Sequence, residues 1–551
     1  MRSARALRGA RALASMMLAV AAIALGSASA RGDGGDAGAN TGQGAPSDAA
    51  APPSSEGANA TPAPAPSPAP ASTPSPSPAT ATATATAAAA PASAKVKYTL
   101  EGIELRGNTR TTARVVLRYV KFRAGDVLDV DDPEIELTRY RLLGTGFFSS
   151  VQMSLRKGKL RGSAVLVIDV IERNTLVLQN LWIGIAADED TAGSSRPQSA
   201  FLGAQVAETN LLGSGITLGA GIGVAADQVA LRARFFDPAF LGTGWSALLT
   251  ALYTDARDFF GNKDVLFEST DVTAREVTDY AVVGYRRIGA SLGTGHDLGL
   301  TTRLSLDYRF EQIDAKVPKI ASHVRGETRE PIEFPILPGK SALSALRATL
   351  AYDTRDLPFL TTRGTFAQAS VTAGLPPIGS SYGFTRIELS YQRWWKLPWK
   401  HVLRLDAFLG GIGGDAPFFE KFYVGDFTDL LPDRVLDLAP DRRQPANFLD
   451  TDIIEVRYGD FAARLELEYR VPIYSGKGSI YGVDLFTRTG VYGVATRREF
   501  TDPPTGYEGA ARVPLDLTYN VGMRVDTSIG GITLAFSNLL GLLPARGGER
   551  K

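Results

Sequence analysis

Asp353-Thr-Arg-Asp-Leu-Pro-Phe-Leu-Thr-Thr-Arg-Gly-Thr-Phe366 joins two segments that are predicted strands, Leu346–Asp353 and Thr365–Thr372. The joining residues include aspartate, proline and glycine, the residue types that most often form turns. Because a turn of this kind connects neighbouring antiparallel strands, the stretch predicts a β-hairpin.

Charged and apolar residues alternate along many segments around this hairpin. Within Ala463–Val471, Arg464, Glu466, Glu468 and Arg470 share one face, and leucines, a tyrosine and a valine share the other. A lipid-facing arginine costs roughly 2–4 kcal/mol at the bilayer centre, so the charged face is expected to line a wet interior. A soluble antiparallel sandwich also alternates, but its strands average about five or six residues. Several segments here are ten residues or longer, which favours an all-β transmembrane barrel.

The composition agrees with a barrel. The 551 residues include 57 glycines, 25 phenylalanines and 18 tyrosines, and about fifteen alternating segments follow Leu181. After the N-terminus, no apolar run reaches the length of about 18 residues that predicts a transmembrane helix. A net charge of +1 argues against nucleic-acid binding. Three histidines and no cysteine leave little for a metal site, so we expect no metal and no cofactor.

Residues 1–30 have the features of a signal peptide. Arginines at positions 2, 5, 8 and 11 precede the apolar segment Met16–Leu25, and Ala28-Ser-Ala30 is typical of a cleavage site. A membrane anchor is the alternative, but the apolar segment is too short to span roughly 30 Å of hydrocarbon. Residues 31–94 are mostly Ala, Pro, Ser and Thr. They predict a disordered linker, because they bury too little apolar surface to offset the entropy of ordering.

Residues 95–173 predict a small α+β domain. Tyr98–Leu105 alternates as a strand, one helix is expected near position 111 or 112, and a second follows Pro133, which suits a first helical turn. Val151–Leu155 and Ala164–Ile171 alternate as two further strands. The order β-α-α-β-β over ~75 residues indicates one compact domain.

The hairpin and a segment some fifty residues later, Phe418-Phe-Glu-Lys-Phe-Tyr-Val-Gly-Asp426, resemble the BamA/TamA superfamily of outer-membrane barrels. The hairpin positions that carry the resemblance are Asp353, Arg355, Asp356, Pro358 and Gly364. The resemblance implies a barrel of about sixteen antiparallel strands over residues 174–551, in the outer membrane of a Gram-negative cell.

The small domain resembles the polypeptide-transport-associated (POTRA) domain at three places. These are Gly107-Asn-Thr109, Leu142-Leu-Gly-Thr-Gly-Phe-Phe148 and Val170-Ile-Glu172. The resemblance implies that the domain lies in the periplasm, where it receives a peptide by strand addition. A generic α+β module is the alternative.

In the resembling family, the segment like Phe418–Asp426, here including Gly425 and Asp426, opens a loop that folds into the lumen. An arginine at its tip pairs with an aspartate of a barrel strand. The corresponding tip here is Asp433-Arg-Val-Leu436, and the strand carries Arg488 where the family has the aspartate. Asp484 is the expected substitute partner of Arg434. Arg457 is a second candidate for the tip, and a solvated arginine in a diverged loop is the third interpretation.

The C-terminus departs from the family pattern. After Gly531–Phe536 the family has one more strand, whereas this chain offers only the short apolar segment Leu539–Leu543. Either that segment forms a short last strand, or the barrel closes with one strand fewer. The difference matters because the first and last strands form the lateral seam.

The resemblance implies a machine that inserts outer-membrane proteins or translocates polypeptides, without catalytic residues. The expected partners are the outer-membrane lipid bilayer, unfolded outer-membrane or secreted polypeptide clients, and periplasmic accessory proteins. Two alternatives remain open. One is a two-partner-secretion pore for a single cognate substrate, which differs in carrying two periplasmic domains and a plug helix. The other is a passive barrel channel, which would lack the small domain.

Overall fold

The computed structural model describes residues 97–536 except 130–131, 187–198, 262–264, 268–276, 279, 319, 358, 428–433, 441–446, 477 and 503. The predicted signal peptide, linker and short last strand therefore lie outside the described residues. None of the described helices is long and apolar enough to cross a membrane. The described chain consists of a small α+β domain followed by a large antiparallel sheet.

The small domain contains four strands and two helices. They are β1 (Lys97–Arg106), α1 (Ala113–Arg118), β2 (Val127–Asp129), α2 (Pro133–Gly144), β3 (Phe148–Lys157) and β4 (Ser163–Glu172). The sheet order is β2-β1-β4-β3, with β1 and β4 parallel. Asp132 caps α2 by accepting a hydrogen bond from the Glu134 N–H, and Pro133 occupies the first turn, where it loses no helical hydrogen bond. The predicted α+β order is confirmed, with the three-residue strand β2 as an addition.

The rest of the described chain is mostly strand. Its elements are β5 (Leu176–Ala186), β6 (Ser199–Glu208), β7 (Thr217–Ala225), β8 (Gln228–Asp237), β9 (Trp245–Phe260), β10 (Val265–Phe267), β11 (Val277–Thr278), β12 (Ala281–Asp297), β13 (Thr302–Lys316), β14 (Ala321–Arg325), β15 (Thr328–Pro331), β16 (Gly339–Asp353), β17 (Gly364–Gly374), β18 (Phe384–Lys396), β19 (Val402–Gly414), β20 (Phe422–Tyr423), β21 (Tyr458–Gly459), β22 (Phe461–Ser475), β23 (Ile480–Ala495), α3 (Arg497–Thr501), β24 (Leu515–Thr527) and β25 (Gly530–Phe536).

Fifteen of these strands form one sheet, in which every strand pairs antiparallel with its neighbour in the order β5-β6-β7-β8-β9-β12-β13-β16-β17-β18-β19-β22-β23-β24-β25. The sheet curls into a nearly closed barrel, as expected for about sixteen strands. Strands β10, β11, β14 and β15 form a separate small sheet at the end away from the small domain.

The alternating pattern places charge inside the barrel and apolar groups outside. In β22, Leu465 is 50% exposed, whereas its neighbour Glu466 is 3% exposed. The inward charges neutralise one another between strands that lie one or two places apart in the sheet. Glu468, for example, accepts hydrogen bonds of 2.6 and 2.7 Å from Arg524 of β24. The predicted orientation of the charged faces is therefore confirmed, and the exposed leucines form a surface suited to lipid.

The small domain contacts turns that lie far apart around the barrel. Thr112 donates its N–H to the Gly213 carbonyl in the turn between β6 and β7, at 3.1 Å. Arg141 of α2 donates to the Leu300 carbonyl in the turn between β12 and β13, at 3.0 Å. Arg173, at the start of the barrel, reaches Asp526 of β24 at 3.2 Å. The domain therefore extends across one mouth of the barrel.

Candidate functional site

The segment between β19 and β22 forms a loop that fills part of the barrel interior. The Phe418 ring packs against Phe260 and Tyr285 of the wall, with centroids 5.4 and 5.2 Å apart. The two ends of the loop pair with each other where β20 meets β21, and Tyr423 lies against Tyr458 at 5.3 Å. Aromatic burial therefore fixes the Phe418–Asp426 segment inside the barrel.

The middle of this loop forms a tight turn. Val435 and Leu438 exchange two backbone hydrogen bonds of 2.9 Å, and the residues between them, Leu436 and Asp437, have φ values of 51° and 71°. Both values lie in the left-handed region, which is unfavourable for residues other than glycine. Contacts around the turn must therefore stabilise it. Val435 packs beside Gly203 and Gly223 of the wall, where a Cβ atom would collide or crowd with it.

Asp437, at the tip of this turn, is held by two arginines of the barrel wall. Its carboxylate pairs with Arg232 of β8 and, at 3.2 Å, with Arg287 of β12. Arg287 is 3% exposed and pairs also with Glu311, at 2.8 Å. Tyr285 donates its hydroxyl to the Asp437 carbonyl, at 3.3 Å. Charge-assisted hydrogen bonds of this kind are stronger than neutral ones, so this cluster anchors the loop tip.

The predicted pairing of Arg434 with Asp484 is wrong. Arg434 instead pairs with Asp426 of its own loop, and its guanidinium lies over the Tyr423 ring at 4.5 Å. Asp484 pairs with Arg470 of the adjacent strand at 2.9 Å. The physical reason is proximity, because the adjacent strands β22 and β23 supply one another's counter-charges. Arg488 likewise faces Glu466 of β22, at 3.4 Å.

The second candidate tip residue, Arg457, approaches the same tyrosine. Its guanidinium lies 5.5 Å from the Tyr423 ring and pairs with Asp258 of β9 at 3.3 Å. Both candidate arginines thus converge on one aromatic ring inside the barrel. Gly425 is buried beside them. The residues that sequence reasoning missed are Asp437, Arg232 and Arg287. The sequence signal for this site was a single acidic residue, Asp437, between the apolar residues Leu436 and Leu438.

The hairpin between β16 and β17 is organised by Asp356. Its carboxylate accepts backbone N–H groups of Leu357 at 3.0 Å, Thr362 at 2.9 Å and Arg363 at 3.3 Å. Gly364 has φ 119°, and a Cβ atom there would collide with the Thr354 carbonyl, which explains the glycine.

The arginine of the hairpin motif is held beside the turn. Arg355 pairs with Asp353 at 2.6 Å and lies over the Phe366 ring at 4.7 Å. Asp353, Arg355, Asp356 and Gly364 are therefore brought together in one turn. Pro358 lies outside the described residues.

The first and last described strands of the barrel meet at one end only. Fifteen strands in antiparallel sequence leave β5 and β25 running in the same direction. The Leu178 N–H donates to the Ile529 carbonyl at 2.8 Å, just before β25 begins. In the described part of the chain, β5 and β25 form no ladder of hydrogen bonds beyond this contact. This junction is called the seam below.

Residues 210–430 match the model of the Omp85 superfamily domain, a range that contains the hairpin and the Phe418–Asp426 segment. Residues 210–430 thus form part of an Omp85 superfamily domain. The resemblance to the BamA/TamA superfamily is thereby confirmed.

The chain is also similar in sequence to a named protein. The outer membrane protein assembly factor BamA of Nitratidesulfovibrio vulgaris is 26% identical over 352 residues, which cover 62% of this chain and 39% of that protein. This chain thus matches about two fifths of that relative's length.

Two solved structures are similar at lower identity. A BamA from Haemophilus ducreyi lacking POTRA domains 1–3 is 16% identical with a TM-score of 0.42, covering 80% of each chain. CdiB from Escherichia coli is 12% identical with a TM-score of 0.46, covering 80% of this chain and 73% of that one.

Replacing Asp437 should release the loop tip. Asp437→Ala removes the charge-assisted hydrogen bonds from Arg232 and Arg287, and we expect the loop to lose about 1.5–3 kcal/mol of local stability. Limited trypsin digestion of the detergent-purified chain measures this as faster cleavage at Arg434 and its neighbours. Arg232→Ala should have a similar effect, and the double variant should be no worse than either single change.

Glu327→Ala, at an exposed acidic residue of the β14–β15 turn, serves as the control that removes a charge from outside the lumen. Additive effects of Asp437→Ala and Arg232→Ala would contradict the pairing.

The far end of the loop should be pH-sensitive because of Asp452. This residue is fully buried, and burial together with Glu499 raises its pKa to about 7 despite Arg325. An unfolded aspartate loses its proton near pH 4. Local folding therefore takes up a proton between about pH 4 and pH 7, and the stability of this region should fall as pH rises through that window.

Proteolysis of the loop at pH 5 and pH 8 tests this expectation. The native chain should be cleaved faster at pH 8, and Asp452→Asn should remove most of the difference. An equal pH dependence in the two proteins would show that another group is responsible.

Proposed function

We propose that this Omp85 barrel inserts or translocates polypeptides at the outer membrane, with the small domain in the periplasm acting as a POTRA domain. No covalent bond changes in this process. The barrel lowers the barrier for a client strand by offering backbone hydrogen-bond groups that are otherwise hard to satisfy in lipid.

The observation that carries the proposal is the incomplete pairing of the described strands at the seam. Between Leu178 and Ile529 the described strands share a single backbone hydrogen bond, and from there β5 and β25 continue without pairing to each other. Unpaired backbone groups in hydrocarbon cost several kcal/mol each. An incoming antiparallel strand placed between two parallel strands would satisfy both edges, which is the geometry that strand-by-strand insertion requires.

A groove on the small domain supports client capture. It has a volume of about 690 Å³ and lies beside β3 and α2. Its apolar lining includes Ile135, Met153, Leu155 and Leu160. Strand β3 is an edge of the four-stranded sheet, so one side of its backbone is open to an added strand. Edge addition combined with apolar pockets is a general mode of recognising extended peptides.

Charging this groove tests the capture step. In proteoliposomes, Met153→Glu with Leu155→Glu should slow insertion of a small outer-membrane barrel about tenfold, equivalent to about 1.4 kcal/mol of lost binding. The heat-dependent gel shift of the inserted client measures the rate. Val127→Glu, on the opposite edge of the same sheet and 65% exposed, is the matched control.

A second arm supplies a secreted polypeptide and measures its protection inside vesicles. Insertion without secretion favours an assembly role, and secretion without insertion favours a translocation pore. Unchanged rates in the Met153→Glu and Leu155→Glu double variant would exclude the groove as the capture site. A parent chain that neither inserts nor translocates would reject the proposed function as a whole.

A further inference from the structure

The described residues of the hairpin loop, 354–357 and 359–363, are called the strut loop below, and they make contacts far from the two strands that the loop joins. Strands β16 and β17 are the eighth and ninth in the fifteen-stranded order, near the middle of the sheet. The loop nevertheless reaches both the small domain and the last hairpin of the barrel. A simple connection between neighbouring strands needs neither contact.

One side of the strut loop is attached to the small domain. Arg363 pairs with Glu136 of α2 at 2.9 Å, and its guanidinium lies over the Tyr140 ring at 5.0 Å. Leu357 packs against the apolar core of that domain. Arg363 thus contacts α2 by charge and by a cation–π interaction, while Leu357 adds apolar burial against the core of the same domain, so the loop is attached to the small domain at two points.

The other side of the strut loop reaches three of the last four strands of the barrel, including β25 at the seam. Leu360, which is 8% exposed, fits against Gly482 of β23, and the Phe359 ring lies on Gly531 of β25. A Cβ atom at either glycine would collide with these side chains. The Thr361 carbonyl accepts a hydrogen bond from the buried Arg470 of β22. Ile529, whose carbonyl forms the seam hydrogen bond, precedes Gly531 by two residues.

Hydrogen bonds within the strut loop hold its described residues together. Asp356 ties both ends of the loop through three backbone N–H groups, and Thr361 donates its hydroxyl to the Leu357 carbonyl at 2.7 Å. A loop with satisfied internal hydrogen bonds moves as a unit rather than as a flexible chain.

We propose that the strut loop is a positioning element that couples the small domain to the seam. This inference rests on the proposed function only in taking the seam as the edge that a client strand enters. When a client displaces the small domain, Arg363 leaves Glu136, and Phe359 and Leu360 withdraw from Gly531 and Gly482. The last hairpin then loses its support, and the seam opens. By reciprocity, opening of the seam weakens the docking of the small domain.

Spin labels across the seam test the coupling without any client. The chain has no native cysteine, so Leu176→Cys and Ile529→Cys, which are 57% and 54% exposed, place two nitroxides beside the seam hydrogen bond. The parent should show strong dipolar broadening. Phe359→Ala with Leu360→Ala should remove most of that broadening, and Glu136→Arg should reduce it. Leu241→Ala, in another turn at the same mouth and 83% exposed, should leave it unchanged.

The decisive readout is non-additivity. In the Phe359→Ala and Leu360→Ala background, Glu136→Arg should have no further effect on the broadening. Gly531→Ala is a variant that keeps the apolar side chains of Phe359 and Leu360. Its added methyl group pushes the Phe359 ring away from the seam. Unchanged broadening in correctly folded variants, checked by their heat-dependent gel shift, would overturn the coupling. Broadening that is lost while client insertion stays normal would instead contradict the proposed use of the seam and leave the coupling intact.

Discussion

The constraint on which this structure depends is that backbone groups inside a bilayer must find partners within the protein. Fourteen of the fifteen neighbour relations around the described barrel satisfy it by continuous antiparallel pairing. At the junction of β5 and β25 the odd number of strands brings two parallel edges together, and in the described residues these edges share the Leu178–Ile529 hydrogen bond without a ladder. Two contacts at the domain-side mouth, Arg173 with Asp526 and the strut loop with Gly531, lie beside this junction.

The lumen shows how charge is used inside such a barrel. Wall residues neutralise one another wherever neighbouring strands offer opposite charges, as Arg470 and Asp484 do. The loop tip binds the wall at two arginines, Arg232 and Arg287. The resembling family suggested a loop arginine held by a wall aspartate. This barrel reverses the signs, with a loop aspartate held by wall arginines, and so keeps the loop inside by an equivalent interaction.

The architecture could be predicted from the sequence because its signals are local. The period-two alternation of residues such as Leu465 and Glu466 directly reports which face meets lipid. Turn residues around Gly364 and the helix-start signals near Pro133 are equally local. The partners inside the lumen were not predictable in this way. Several arginines of similar pattern compete for each carboxylate, and only the three-dimensional arrangement decides that Asp437 meets Arg287 while Arg434 meets Asp426. No periodic pattern in the sequence indicates the long-range contacts of Phe359 and Leu360.

Hydrogen exchange of the full chain in lipid nanodiscs tests the central claim about the seam most directly. The backbone amides of β5 and β25 that do not pair with β6 or β24 should exchange orders of magnitude faster than those of β12 and β13, which pair on both sides over nearly their whole length. Protection of β5 and β25 equal to that of β12 and β13 would mean that the seam is fully paired and would contradict the account.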